Sequence, residues 1–487
     1  MSTGMKVLKI LLLALLFSLL LLPYIQSRLP LVREPALFGI YAKTGPPDLK
    51  QLKWKSWSSG QFQEELSRQV RDHQGFRNTL IRFNNQVDYS LFRIIHAEGF
   101  IAGRNGYLYE EDYIHEYTGR YFIGKKTLDL KVRRLKAVQE ALRKQGVCLL
   151  PVIEPGKASF YPEYIPACYH PEKRTLTNLE YMKQRLDAWN VDYLDLDAWF
   201  LSMKDTSRYK LFPEYGMHWS IHSVSLVVDT LSRYLRSRCD LDLPGFSIER
   251  IETTGSLRGS DRDIADMLNL VFPLKKVTAT YPVIRFDSAE PVLKVIAVAD
   301  SYFNNIYYDY TPHLFANTEY WYYNSTLYYK DSYGDTRVDH SGLPEKFRNV
   351  DLILLMTSEI NAHCGFWNFV DQSYEALFPA TRDTWCYRYE NKIRNDRYWF
   401  RGMVRQAASE RTTLEQAIKR NAAYAMCVDF DTLENKTHYD SVQRIIYNIR
   451  TTPKWFHKVW SVSKEQNLPL EACLESEAEY VLSMRNP

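Results

Sequence analysis

The chain has 487 residues, 45% of them hydrophobic and 25% charged, with a formal net charge of +4. That composition excludes wholesale disorder and supports a large core spread over roughly two to four domains. A balance this close to neutral gives no reason to expect a nucleic-acid partner.

The N-terminus places Lys6 and Lys9 before an apolar run, Ile10 to Leu22, broken only by Ser18. This is the charged region and apolar core of an export signal. Pro23, Tyr24, Ile25 and Gln26 follow, and no small-residue cleavage site is among them. An uncleaved signal anchor over about residues 1–30 is expected, with a cleaved signal peptide as the alternative. The short N-terminal tail and the large polar remainder favour export of the remainder.

Residues 31–59 are rich in Pro and Gly and read as a linker; 60–93 read as helical. In "GRNGYLY" (103–109), Asn105-Gly106 is a hairpin turn signal. An α/β rhythm then begins. Leu128, Val132, Leu135, Val138 and Leu142 recur at helical spacing, and Gly146 suits the residue just past a helix end. "VCLLPVI" (147–153) is a buried strand, "LEYMKQRLDAWN" a helix, "VDYLDL" a strand and "SVSLVVDTLSRYLRSR" a helix. "VLKVIAVA" and "VDLILLMT" (350–357) are further buried strands. The fold class expected is α/β, a mostly parallel sheet flanked by helices, spanning residues 60–384. Residues 385–487 read as a small all-helical module. "DRYWFRGMVRQAASERTTLEQAIKRNAAYAM" recurs at an offset of 56, aligning Trp399 with Trp455, Leu414 with Leu470 and Tyr424 with Tyr480. Each copy reads as two amphipathic helices.

There are seven cysteines and no C-x-x-C pair, so neither a disulfide scaffold nor a zinc site is indicated. Cys148, in "VCLLPVI", reads as a buried thiol. The 35 tyrosines and 11 tryptophans suit wet, sugar-binding surfaces, although core packing accounts for most of them. "EYWYYNSTLYYK" (319–330) fits an ordinary strand better than a sugar platform. Asp263 and Asp266 share a helix face in "DRDIADMLNL", with no further ligand at metal spacing; no metal and no cofactor are expected. His73 reads as a helix-terminus residue.

The strand "VLKVIAVA" ends on Asp300-Ser301. In parallel sheets, ligands bind beyond the carboxyl ends of the strands. His218 sits in "PEYGMHWS" (213–220), just before a helix. Taken with "DHQGFRN" (72–78), "GRNGYLY", "EPGKASFYPEYIP" (154–166) and "ADSYFNN", these pieces resemble the SGNH-hydrolase-like proteins of alginate O-acetylation. Relatives in other bacterial exopolysaccharide systems share the resemblance, which covers about residues 60–375.

The resemblance implies Ser301 as nucleophile and His218 as base, meeting at one edge of the sheet. A serine hydroxyl becomes nucleophilic when an imidazole takes its proton, best with a carboxylate holding the imidazole's tautomer. The family's acid stands two residues before the histidine, where this chain has Gly216; Ala299 and Tyr302 also depart from its serine motif. Three alternatives follow: a Ser-His dyad, an acid recruited from elsewhere, or a degenerate binding protein. Glu214, four residues before His218, is the acid candidate nearest in sequence. Asp300 is expected to tie the strand-end turn to neighbouring amides. Backbone N–H of Ser301, with Asn304 or Asn305, is the expected oxyanion donor set, and Glu359 and Asn361 are candidate cleft residues.

The resemblance therefore implies an exported O-acyltransferase, most simply an acetyltransferase, acting on a bacterial cell-surface or exo-polysaccharide. It implies a membrane-bound O-acyltransferase as the acyl donor partner and anchorage at the inner membrane with the catalytic domain in the periplasm. A carbohydrate O-acetyl esterase and a non-catalytic glycan-binding or scaffold protein are the alternatives.

Overall fold

The structure is a computed structural model that describes residues 3–39, 54–169, 174–328, 336–379 and 383–485. The middle of the expected linker, residues 40–53, and Tyr329 and Lys330 of the aromatic stretch lie outside the described residues. Two compact units are present. One comprises residues 1–111, 212–218 and 253–279; the other comprises 112–211, 219–252 and 280–487.

The first unit begins with an apolar helix, Thr3–Arg28. Its stretch Val7–Arg28, of mean hydropathy 2.4, is the one helix among the described residues long and apolar enough to cross a membrane. The region expected to be helical over 60–93 is two helices, Gln61–His73 and Arg77–Phe92. Gly75 stands between them because a Cβ there would sit 2.4 Å from the Pro23 carbonyl oxygen. Phe100–Ala102 (β1) pairs antiparallel with Leu108–Glu110 (β2). Asn105 and Gly106 both take positive φ between them, as the turn signal predicts. Tyr89, Leu108, Tyr215, Ile264 and Leu268 form this unit's small core.

The second unit is built on a six-stranded sheet. Its strands are Cys148–Glu154 (β3), Leu194–Asp195 (β4), Lys294–Ala299 (β7), Asn317–Tyr322 (β8), Thr326–Tyr328 (β9) and Leu352–Ser358 (β10). Between β4 and β7 in sequence, Phe246–Thr254 (β5) and Ala279–Phe286 (β6) form a separate two-stranded ribbon. The sheet order is β4-β3-β10-β7-β8-β9, parallel except for β9. All of β10 is buried, as is β7 from Val295 onward, which is why both read as unbroken apolar runs. Helix Lys125–Arg143 lays Val132, Leu135, Val138 and Leu142 into the main core, and Gly146 takes φ +80° just past its end. The expected strand "VDYLDL" shrinks to two residues, because Asp195 already caps the next helix by accepting Ala198 N–H at 2.9 Å.

One expectation is corrected. Cys148 is not a thiol: it is disulfide-bonded to Cys239, joining the start of β3 to the end of helix Ile221–Cys239. Each copy of the repeat is two helices, as expected, and one further helix precedes each pair. Trp385–Asn395, Arg397–Glu410 and Leu414–Asp429 correspond to His438–Thr451, Pro453–Glu465 and Leu470–Arg485. The equivalence extends to a hydrogen bond. Trp399 Nε1 donates to Asn421 at 2.8 Å, and 56 residues on, Trp455 Nε1 donates to Glu477 at 2.9 Å.

The two copies differ in attachment. In the first, Ile393, Phe400 and Ile418 share a core with Tyr121, Ile123 and Leu128. Arg397 and Arg401 pair with the buried carboxylate of Asp112 at 2.8 and 2.7 Å. Buried Asp371, between Lys131 (3.1 Å) and Arg134 (2.5 Å), also accepts from Asn391 (3.1 Å). Burial alone would raise the Asp371 pKa, and these two cations hold it below the usual range. The second copy has a core of its own around Ile445, Ile449, Val459 and Leu474.

Candidate active site

In the first unit, the loop carrying His218 is stitched from several sides. Leu108 N–H of β2 donates to Glu214 O at 2.9 Å, Ala265 N–H to Tyr215 O at 3.2 Å, and Tyr215 O–H to Lys275 O at 2.7 Å. Asp263, first residue of the helix Asp263–Met267, completes the attachment. Its Oδ1 accepts Met217 N–H at 3.0 Å and Ile264 N–H at 2.7 Å, and its Oδ2 lies 2.8 Å from Nδ1 of His218. A carboxylate only accepts, so Nδ1 carries the ring proton and Nε2 is the ring's acceptor.

The carboxylate on Nδ1 of His218 is therefore Asp263, 45 residues downstream, and not Glu214. Gly216 explains the absence of an acid at the family's position. A Cβ at Gly216 would stand 2.0 Å from Ser260 O, so the segment that delivers Asp263 occupies the space a side chain at 216 would need. Asp266, expected to share a helix face with Asp263, turns to Arg262 instead, at 2.5 Å.

In the second unit, Ser301 opens the turn Ser301–Phe303 directly after β7, and Asp300 caps it. Asp300 Oδ1 accepts Tyr302 N–H at 3.0 Å. Its Oδ2 accepts Ser358 Oγ–H at 2.6 Å, Ser358 N–H at 3.3 Å and Asn361 Nδ2–H at 2.9 Å. Asp300 thus ties the ends of β7 and β10 together, the structural role expected of it. Beside it, Glu154 at the end of β3 is fully buried, and neither of its oxygens receives an N–H or O–H donor. Burial, then the adjacent Asp300 charge, pushes the Glu154 pKa well above the carboxylate range.

The remaining candidates separate. Asn361 donates its amide to Asp300 and to Ser358 Oγ (3.0 Å), and so supports the turn. Glu359 is buried, accepts from Ser159 at 2.9 Å and fills the space against Gly156. Burial, then Asp197 and Glu116, raises its pKa well above the usual range. It is a core carboxyl and not a cleft residue. Asn304 and Asn305 begin the helix Asn304–Asp309. Asn304 Oδ1 accepts Tyr320 O–H at 3.1 Å, which turns its Nδ2 the other way. Trp321 and Tyr320 are buried, as core packing requires.

Trp219, bonded to His218, stacks on Phe200 at 6.1 Å between ring centroids and meets Tyr302, bonded to Ser301, edge-on at 5.0 Å. Among the described residues, no group of His, Cys, Asp and Glu could hold a metal ion.

Residues 100–269 match the family described as "SGNH hydrolase-like domain, acetyltransferase AlgX". The AlgX-like stretch contains both His218 and Asp263 and ends before Ser301. Three solved structures are similar to the chain at low identity. The O-acetyltransferase domain of Pseudomonas putida AlgJ is 16% identical with a TM-score of 0.38, over 57% of this chain and 99% of that one. Pseudomonas aeruginosa AlgX is 13% identical with a TM-score of 0.37, over 58% of this chain and 68% of that one. Bacillus cereus PatB1 with a sulfonyl adduct is 10% identical with a TM-score of 0.34, over 55% and 97%. No curated protein matches the chain.

The Asp263–His218 pair was not legible in the sequence, because 45 residues of intervening chain carry no local pattern linking the two. The one signal available was Gly216, a residue with no side chain where an acid was expected.

Proposed function

We propose that this protein is an O-acyltransferase, most simply an O-acetyltransferase, that modifies hydroxyls of a bacterial cell-surface polysaccharide through an acyl-enzyme on Ser301. The observation that carries the reading is the 2.8 Å Asp263–His218 pair, which sets the imidazole in the tautomer a general base needs. Pairing His218 with Ser301 rests on the resemblance of the stretches that carry them, "PEYGMHWS" and "ADSYFNN", to the family's motifs. Gly216 no longer favours a degenerate protein, because the acid it lacks is present as Asp263.

In the proposed reaction, Ser301 Oγ attacks the acyl carbonyl of the donor and its proton passes to His218 Nε2. The tetrahedral intermediate collapses, the bond to the donor oxygen breaks, and that oxygen leaves with the proton from His218. A sugar hydroxyl then attacks the acyl-enzyme, giving its proton to the same nitrogen, and Ser301 is released as the proton returns to Oγ. Oxyanion donors in this scheme are the Ser301 backbone N–H and the Asn304 or Asn305 amide. The apolar N-terminal helix and the Cys148–Cys239 disulfide support an exported, membrane-anchored protein. The acyl donor would then be a membrane-bound O-acyltransferase passing acyl groups outward.

The test measures release and transfer of acetyl from a chromogenic acetyl ester, with and without oligosaccharide. Acetylated oligosaccharide, lost in Ser301→Ala and His218→Ala alike, supports the reading. Hydrolysis alone makes the protein an esterase, and retained activity in Ser301→Ala overturns the acyl-enzyme.

A further inference from the structure

Helix Arg77–Phe92 in the first unit is built inside out. Several of its polar side chains face inward: Arg82 donates to Leu270 O at 3.3 Å and to Ala36 O at 2.8 Å, and Asn85 donates to Leu268 O at 2.9 Å, while Asn84 and Ser90 are exposed. Gln86 accepts Phe272 N–H at 2.9 Å. The outward face carries Leu80, Phe83, Val87 and Leu91, spaced as one helical stripe and 47%, 62%, 37% and 70% exposed. In water such a stripe would be turned into a core; its outward placement calls for an apolar neighbour.

Two features of the same unit identify that neighbour. The apolar helix Thr3–Arg28 is fastened to the start of Arg77–Phe92: Gly75 N–H donates to Pro23 O at 3.0 Å. The chain leaving it runs alongside, with Glu34 accepting from Thr79 N and Oγ1 at 2.8 and 2.9 Å and Pro35 O accepting from Asn78 at 3.1 Å. Whatever lipid surrounds the first helix is therefore held against the second. Flanking the stripe is a cavity of about 610 Å³ lined by Tyr89, Arg93, Arg104, Tyr215, Phe272 and Lys275, among others, with no Asp or Glu in its wall. Three cations without a carboxylate suit anionic headgroups, and Phe272, 67% exposed, extends the apolar rim.

We propose that helix Arg77–Phe92 lies in the surface of an anionic bilayer, its stripe in the acyl boundary and lipid phosphates received by Arg93, Arg104 and Lys275. The proposal rests on the anchoring reading above and is independent of the chemistry at Ser301.

The experiment uses the full chain in nanodiscs containing a photoactivatable phosphatidylcholine, with and without phosphatidylglycerol, and maps cross-links by mass spectrometry. Cross-links are expected on residues 80–92 as well as 7–28, several-fold stronger on 80–92 with phosphatidylglycerol present. Phe83→Glu should abolish those on 80–92 while leaving those on 7–28. Replacing Arg93, Arg104 and Lys275 by Gln should remove the dependence on phosphatidylglycerol. Cross-links confined to 7–28 overturn the proposal, as does protection of the stripe by a second copy or by a soluble oligosaccharide. Cross-links on 80–92 without any on 7–28 support it and defeat the anchor instead.

Discussion

Asp263→Asn is the sharpest perturbation of the proposed site. The carboxylate makes three contacts, two to backbone N–H groups through Oδ1 and one to the imidazole through Oδ2. An asparagine keeps the first two, since its carbonyl oxygen can stay on Met217 and Ile264. Its amide group then faces Nδ1 of His218. An N–H donor is met there only by an unprotonated Nδ1, which moves the ring proton to Nε2, the nitrogen that must accept from Ser301. The flipped amide is worse, because it points a donor at two backbone donors.

The fold should therefore survive with a loss of about 1–2 kcal/mol, one charge-assisted hydrogen bond. The rate constant kcat should fall by about 10³- to 10⁴-fold, roughly 4–5.5 kcal/mol of transition-state stabilisation, with KM little changed. The assay is acetyl-ester turnover, together with acetylation of Ser301 followed by intact mass in a single turnover. A folded Asp263→Asn protein with kcat within roughly tenfold of wild type would refute the assignment of Asp263 to His218. Glu214→Gln, which leaves that pair intact, should lose far less.

Gly216→Asp restores the acid the resemblance implies and should nevertheless damage the protein. Its Cβ meets Ser260 O at 2.0 Å, so a stability loss of about 1–3 kcal/mol and lower turnover are expected; thermal melts and ester turnover check it. His363 is buried against Phe400, ring centroids 4.1 Å apart, and burial lowers its pKa to about 4. Its contribution is complete above the ordinary value near 6.5 and is lost as pH falls toward 4, by up to about 1.4 kcal/mol per pH unit. Urea midpoints at pH 7 and 5 should draw closer together in His363→Phe, and an unchanged difference would defeat this. A chain ending at Glu434 should melt cooperatively, since the second helical copy has its own core, whereas one ending at Glu390 should aggregate.

The sheet was legible because β7 and β10 are covered on both faces, and continuous burial writes itself as a continuous apolar run. Helix Lys125–Arg143 was legible within two residues at either end for the complementary reason, a single buried stripe. The repeat was visible by self-similarity, but the helix preceding each copy was not, because Trp385–Asn395 and His438–Thr451 share a burial pattern and little identity. Attachment of the first copy was hidden as well. Asp112 and Arg397 are 285 residues apart, and nothing local announces that they pair. Asp263 belongs to the same class: a side chain whose role is set by a partner the local sequence does not mention. Asp300 was read correctly because its role is local, a cap on the turn it begins.

Glu154 extends this logic to a group no motif points to. Two carboxyls can adjoin in a buried place only if one keeps its proton, since an ionised pair would place donor-less charges side by side. Asp300 already receives Ser358, Asn361 and Tyr302, whereas Glu154 receives no donor, so Glu154 is the one that stays protonated. A carboxyl whose folded pKa is raised favours folding below its unfolded value near 4.5, and that contribution is lost as pH rises through the folded one. Wild-type stability should therefore decline toward alkaline pH. In Glu154→Gln this part of the decline should vanish, because the amide still donates to Asp300 and has no proton to lose. Glu154→Leu should cost about 1–3 kcal/mol near neutral pH by removing a donor from a buried carboxylate. Infrared spectra near neutral pH should show the carbonyl stretch of one protonated carboxyl in the wild type that is absent from both variants. An alkaline decline in Glu154→Gln equal to that of the wild type would mean that Glu154 is ionised beside Asp300, and the turn that presents Ser301 would then rest on charge and not on a shared proton.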